Sequence, residues 1–168
     1  MQNSLDTNKE SNSKRQSLNV AAITLQLSSA ALQWLAETTI NNAGDCVCNY
    51  ALFYDLLKRM RTEDGSDQSF RRPISLSSGQ FQYSEENLAA DWDFGRKRVR
   101  NILTKMAALG IITTEASRIA SAADVVCVQA WKSPDGTDVT NPSFRAQNGA
   151  QIGSDGDLPT GCRSRSRQ

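Results

Sequence analysis

The chain has 168 residues, of which 39% are apolar, so its length and composition fit a single domain with a modest core. Its 19 basic and 18 acidic residues give a formal net charge of +1, which by itself predicts no partner. Any electrostatic function must therefore depend on local clusters of charge.

The residue types that support metal binding and nucleophilic catalysis are scarce. Histidine is absent, and the four cysteines form no CxxC pair, so a zinc site would need all four of them. The most common general base is also missing. We therefore expect no enzyme activity, cofactor, metal or small-molecule ligand. Cys46 and Cys48 are expected to be buried or incidental thiols, with metal chelation or a disulfide as the alternative.

No segment has the features of a membrane span or a secretory signal. The longest apolar run is much shorter than the 18 or so residues that a span requires, and residues 1–17 contain no apolar stretch. We expect a cytoplasmic protein without membrane contact.

Composition divides the chain into three zones. Residues 1–17 are polar and aperiodic, which predicts a disordered leader. Apolar residues recur in periodic patterns over residues 18–131, which predicts the folded domain. Residues 132–168 are rich in Gly, Pro, Asp and Ser and have few large hydrophobes, so we expect a disordered tail.

The first part of the domain predicts one strand and two helices. The β-branched residues in 20–27 indicate a short strand. Ser28 or Ser29 can cap a helix in "AALQWLAETTI", which either packs on the domain or mediates a dimer. In "YALFYDLLKRM" the apolar residues form a single stripe, so this segment is the clearer helix.

A second pair of helices follows an extended segment in "PISLSSGQFQY". Ser84 can cap the helix "SEENLAADW", whose early acidic residues favour the positive end of the helix dipole. The letters "DFG" then break this helix. Gly95 stands at the cap of the next helix, where the absence of a Cβ permits a tight turn and the approach of a phosphate.

The helix that begins at Arg96 is basic and amphipathic. It carries five basic side chains within residues 93–105, and no acidic residue lies between Phe94 and Gly110. Its apolar residues recur at helical spacing and predict a buried stripe of Val99, Ile102, Leu103, Met106 and Leu109. At about 100° per residue, Lys97, Arg100, Asn101 and Thr104 point away from that stripe, and Arg96, Arg98 and Lys105 flank it.

Gly110 is expected to end the basic helix in a left-handed conformation. Two β-branched runs follow, "IITTE" and "DVVCVQAW", joined by "ASRIASAA". They predict a β-hairpin with Ser117 and Arg118 near its tip.

The order short helix, tight turn, basic helix, glycine and hairpin resembles the winged helix-turn-helix domain of regulators and replication proteins in bacteria and mobile genetic elements. The resemblance covers about residues 81–131, with "RKRVRNILTKMAALG" as the recognition helix and residues 111–131 as the wing. One departure is Gly95, where such domains often have Ser or Thr. The expected fold is α+β, mostly α, a winged helix-turn-helix with an additional N-terminal helix and disordered tails.

The resemblance implies a DNA-binding protein that acts as a transcriptional regulator or as an accessory factor in replication or mobilisation. Its recognition helix, residues 96–109, would enter the major groove, and its wing would contact the backbone. The groove contacts, assigned by helix angle, are Arg96, Lys97, Arg100 and Asn101. The phosphate contacts are Arg98, Lys105, Arg118 and Ser84.

Several alternatives stay open. A winged helix can also act as a protein-protein interaction module, in which the basic helix meets an acidic partner. Arg71 and Arg72 are equally consistent with backbone contacts and with a solvated loop. The final "RSRSRQ" is expected to be inert, with nonspecific phosphate contacts as the alternative. Trp92 and Trp131 are expected in the core. A homodimer would bring two recognition helices to half-sites about 34 Å apart on double-stranded DNA.

Overall fold

The computed structural model describes residues 18–117 and 120–145. These contain four helices: α1 (Ser29–Ala36), α2 (Asn49–Arg59), α3 (Glu85–Trp92) and α4 (Arg96–Ala108). They also contain eight strands: β1 (Ala22–Leu25), β2 (Thr38–Ile40), β3 (Cys46–Cys48), β4 (Gln80–Tyr83), β5 (Thr113–Ala116), β6 (Ser121–Asp124), β7 (Val128–Lys132) and β8 (Asp138–Thr140). The predicted leader, Arg118, Cys162 and the final "RSRSRQ" lie outside the described residues.

The fold is α+β, but the expectation that it is mostly α is wrong. Helices make up 32% and strands 25% of the described residues, and the strands form three sheets. The strand predicted within residues 20–27 exists as β1, but the sequence did not indicate β2 and β3, which follow α1 in the chain. Short strands such as β6, with the sequence SAAD, have little intrinsic β-propensity and form because tertiary neighbours pair with them.

Local sequence signals place the starts of α1 and α3 correctly, but α1 ends at Ala36, and Thr38–Ile40, predicted as part of that helix, form β2. The side chain of Ser28 accepts a hydrogen bond from the Ala31 N–H at the start of α1, and Ser84 caps α3 in the same way. The apolar stripes of α2 and α4 are buried. Beyond α4, Gly110 has φ of 69°, as predicted for a glycine that ends a helix.

The sheet next to α3 and α4 has the strand order β4-β6-β5 and is antiparallel. The predicted hairpin after α4 therefore exists, but its second strand is Ser121–Asp124 and not the run "DVVCVQAW". That run contains β7, which lies in a different sheet. Residues 121–124 and the run "DVVCVQAW" are both close enough to β5 in the chain to form a hairpin with it. The run has more β-branched residues, so β-propensity alone predicts the wrong partner strand.

The second sheet has the order β1-β7-β8 and corrects the predicted tail boundary. In it Trp131 pairs with Ile23 on one side and with Val139 on the other. Asn141 follows β8 and is buried, and its side-chain amide donates to the carbonyls of Val125 and Val128 at 3.0 and 2.8 Å. The folded region thus continues beyond residue 132, through a segment whose few hydrophobes had indicated a tail.

The third sheet is the β2–β3 hairpin, which connects α1 to α2. The buried side chain of Asn49 donates to the Trp34 carbonyl at 2.9 Å and accepts from the Thr39 hydroxyl at 2.7 Å. One polar residue at the start of α2 thereby fixes the end of α1 and strand β2. Helix α1 packs on the domain through Ala31 and Leu35.

A single apolar core joins the four helices to the two larger sheets. Trp92 and Trp131 belong to it, as predicted, with 7% and 2% of their surfaces exposed. On the side where α2 meets α3, Arg59 pairs with both Asp55 and Asp91 at 2.8 and 2.9 Å. These half-buried charges fix the position of α3, on which α4 in turn packs.

Candidate nucleic-acid interface

In the turn between α3 and α4, the residue with a left-handed backbone is Asp93 and not Gly95. Asp93 takes the left-handed conformation, with φ of 56° and ψ of 46°, whereas Gly95 has an ordinary extended backbone with φ of −70°. A Cβ at Gly95 would meet no atom within 4 Å. Gly95 is the N-cap residue of α4, as predicted, but neither its backbone conformation nor the space around it requires glycine, since a residue with a side chain fits there.

Helix α4 presents the two faces that its sequence predicts. The buried face consists of Val99, Ile102, Leu103 and Met106, whereas Leu109, also predicted in this stripe, is the C-cap residue and is only partly buried. Every polar or charged residue of the helix is exposed, namely Arg96, Lys97, Arg98, Arg100, Asn101, Thr104 and Lys105. At about 100° per residue, Lys97, Asn101 and Thr104 lie opposite the buried face. We call these three residues the outer stripe of α4.

Arg100 is engaged by a carboxylate, which the sequence does not indicate. Its Nε and Nη2 donate to Glu85 Oε1 and Oε2 at 2.9 and 2.7 Å, a bidentate ion pair between α4 and the first turn of α3. The hydrogen bond from Arg100 lowers the pKa of Glu85, and the same bond raises the pKa of Arg100. Although α4 contains no acidic residue, Arg100 is not an unpaired cation.

Arg98 lies on the opposite flank of α4, beside the β2–β3 hairpin. Its Nη1 donates to the Ile40 carbonyl at 3.1 Å. The turn of the same hairpin contacts Asp93, whose carbonyl accepts from the Asn42 N–H at 2.8 Å and whose carboxylate accepts from the Ala43 N–H at 3.0 Å. The hairpin therefore braces both the start of α4 and the left-handed turn before it.

Ser84 is committed to capping α3. Its hydroxyl accepts from the Asn87 N–H at 3.4 Å, and the next residue is the carboxylate-bearing Glu85. A phosphate at this helix start would lie beside that carboxylate, which opposes the dipole attraction. The environment of Ser84 does not favour the predicted phosphate contact.

An open groove of about 540 Å³ lies between the start of α4 and the β5–β6 hairpin. Three arginines line it, Arg71 and Arg72 from the loop before β4 and Arg96 from α4, together with Ser117 near the hairpin tip. Ser84 and Glu85 at the start of α3 line it as well, so its lining carries three cations and one carboxylate. The buried side chain of Gln82 holds the loop by donating to the Arg72 carbonyl at 2.9 Å. Arg71 and Arg72, which the sequence left undecided, are thus part of the same surface as Arg96.

Three other predicted contacts lie beside α1 and β2. Arg98, Asn101 and Lys105 line a smaller depression of about 270 Å³ next to Trp34 and Thr39. The predicted residues of α4 therefore all lie on the exposed surface of the helix. Arg71 and Arg72 flank this surface on the side of the β5–β6 hairpin, and Trp34 flanks it on the side of α1.

The described cysteines divide into two kinds. Cys46 and Cys48, expected to be buried or incidental thiols, are exposed on β3, and neither forms a disulfide. Cys127 is buried, and desolvation raises its pKa to about 12. Such a thiol is protonated at neutral pH and chemically inert.

The chain was compared with protein-family models, curated proteins and solved structures, and nothing in any of the three matches it significantly. Among residues 18–117 and 120–145, no helix has the length and apolar character that crossing a bilayer requires.

Proposed function

We propose that this chain is a sequence-specific DNA-binding protein in which α4 enters the major groove and the β5–β6 hairpin contacts the backbone. The observation that carries the proposal is the exposed face of α4. There the outer stripe, Lys97, Asn101 and Thr104, combines a cation, an amide and a hydroxyl on a helix whose other face is fixed in the core. These are the groups that read base edges and bind phosphates.

The surroundings of α4 support a winged helix-turn-helix mode of binding. Helix α3, the left-handed turn and α4 are followed by a hairpin, as in the family that the sequence resembles. Arg71, Arg72 and Arg96 line the groove between α4 and that hairpin, where a phosphate strand next to the major groove would pass. The proposal thus assigns base readout to α4 and backbone contacts to the groove.

In the cell this activity corresponds to transcriptional regulation or to an accessory role in the replication or mobilisation of a genetic element. The proposal includes no catalytic step and no cofactor. It implies a cytoplasmic location, where bacterial DNA is found, and two copies would recognise half-sites about 34 Å apart.

Selection of bound fragments from a random pool of double-stranded DNA tests the proposal. We expect an enriched motif, whose symmetry would reveal whether two copies bind together. On the selected site, three or four phosphate contacts predict that log K falls with log salt at a slope of about −3. Failure to retain any DNA at low salt would refute the proposal and favour a protein-interaction module.

Lys97→Ala is the most direct variant, because Lys97 is exposed and belongs to the outer stripe. We expect it to weaken binding by about tenfold or more with an unchanged unfolding midpoint. Lys132→Ala is the matched control: it removes the same charge from β7, where Lys132 pairs with Asp138 at 3.2 Å. Equal affinities for the two variants would show that α4 is not the contact surface.

A further inference from the structure

The pair between Arg100 and Glu85 uses only one edge of the guanidinium group. Glu85 accepts from Nε and Nη2, and a guanidinium has five N–H donors in a planar fork. A second edge, formed by Nη1 and the other hydrogen of Nη2, points away from the carboxylate. The Arg100 side chain is 64% exposed, so this second edge is accessible to a ligand.

Glu85 is held more firmly than the arginine that it binds. Its side chain is 22% exposed and extends from the first turn of α3, directly after the capping residue Ser84. Helix α3 is itself fixed to α2 by the ion pair between Arg59 and Asp91 at 2.9 Å. The carboxylate is therefore a stationary acceptor that selects one orientation of a long and otherwise flexible side chain.

The charge of the pair decides which ligand suits the second edge. A phosphate would be attracted by Arg100 and repelled by Glu85, so the pair as a unit provides little net attraction for the DNA backbone. A guanine base is uncharged and offers two acceptors, O6 and N7, at the spacing of a guanidinium edge. The pair is thus better suited to a guanine than to a phosphate.

We propose that Glu85 is a positioning residue that directs the second edge of Arg100 toward one guanine in the major groove. This inference rests on the proposed function, because it assigns a specific base to one side chain of the same surface. Arg100 and Glu85 act as a nearly neutral reading unit, whereas the groove arginines supply the attraction for phosphates.

The inference predicts opposite changes in specific and nonspecific binding for Glu85→Gln. Removing the carboxylate releases Arg100 and adds one unit of positive charge, so affinity for unrelated DNA should rise. The preference for the selected site over a site with that guanine replaced should fall about fivefold or more. If Glu85 had a purely structural role, Glu85→Gln would weaken binding to unrelated DNA as well as to the selected site, because loss of structure weakens both.

Glu86→Gln is the matched control, since Glu86 is the neighbouring carboxylate on α3 and is exposed. It should raise nonspecific binding to a similar extent and leave the guanine preference unchanged. Arg100→Lys is the second variant: it keeps the positive charge but lacks the planar fork. We expect Arg100→Lys to lose the guanine preference without a decrease in the salt slope.

The experiment measures the affinities of the wild type and the three variants for the selected site, the guanine-substituted site and unrelated DNA at two salt concentrations. If the wild type shows a guanine preference and either Glu85→Gln or Arg100→Lys retains it, the inference is wrong while the proposed function stands. If the wild type binds no DNA, the proposed function fails and the inference fails with it.

Discussion

The indole Nε1 of Trp92 donates a hydrogen bond to Oδ2 of Asp55 at 2.9 Å, and this contact joins the end of α3 to the middle of α2. The same carboxylate oxygen accepts from Nε and Nη2 of Arg59 at 3.0 and 2.8 Å. One acceptor therefore serves an aromatic donor and a cation on two helices. Since α4 packs on α3, this network supports the placement of the candidate interface.

Asp55→Ala should lower the free energy of unfolding by about 1–3 kcal/mol, because it leaves the indole N–H of Trp92 without its acceptor and removes one of the two carboxylates that pair with Arg59. Urea denaturation followed by tryptophan fluorescence measures the change. Glu63→Ala removes an exposed carboxylate and should have little effect. Equal stabilities for the two variants would contradict the role assigned to the network.

Leu103→Ala should destabilise the protein by about 2–5 kcal/mol, because Leu103 is 4% exposed and its truncation leaves a cavity beneath α4. Thr104→Ala is the matched control on the exposed side of the same turn, and we expect a change within about 0.5 kcal/mol. The two unfolding midpoints give the comparison. A Leu103→Ala protein as stable as Thr104→Ala would show that the buried face of α4 is assigned incorrectly.

Two glycines with the same backbone conformation should respond differently to substitution. Gly79 and Gly136 both have φ of 89°, so alanine is strained at each by about 1–2 kcal/mol. A Cβ at Gly79 would also collide with the side chain of buried Asn141, whereas one at Gly136 would meet open space. Gly79→Ala should therefore be the more destabilising change in thermal unfolding, and equal losses would argue against the docking of Asn141.

The buried thiol of Cys127 predicts a loss of stability at alkaline pH. Its pKa is raised to about 12 from an ordinary value of 9.0, so the folded state prefers the neutral thiol. Below pH 9.0 the thiol is protonated in both the folded and the unfolded state, so its ionisation does not lower the free energy of unfolding. As the pH rises from 9.0 toward 12, the unfolded state ionises first, and this contribution to stability is lost.

Urea midpoints measured between about pH 8 and pH 11 test this prediction. The wild type should lose stability more steeply than Cys127→Ala, which has no thiol to ionise, even though the variant starts from a lower stability because of its cavity. Cys46→Ser alters an exposed cysteine and should follow the wild-type profile. Parallel profiles for the wild type and Cys127→Ala would contradict the burial of this thiol.

Local sequence was sufficient for features that depend on neighbours a few residues apart. The spacing from Val99 to Met106 determines which face of α4 is buried, since helical geometry relates these positions regardless of the remaining fold. Ser28 and Ser84 cap the helices that follow them through hydrogen bonds over three residues. Gly110 ends α4 because a residue without a Cβ accepts a left-handed backbone easily.

Only the tertiary structure decided the pairings between distant residues. Strand β1 meets β7, which lies at the far end of the domain in the chain, and nothing in the composition of residues 132–145 indicates that Asn141 closes that sheet. The carboxylate that binds Arg100 likewise belongs to another helix. Charge and periodicity along the chain determined that α4 is basic and amphipathic, whereas the partner of each cation depends on which elements the fold brings into contact.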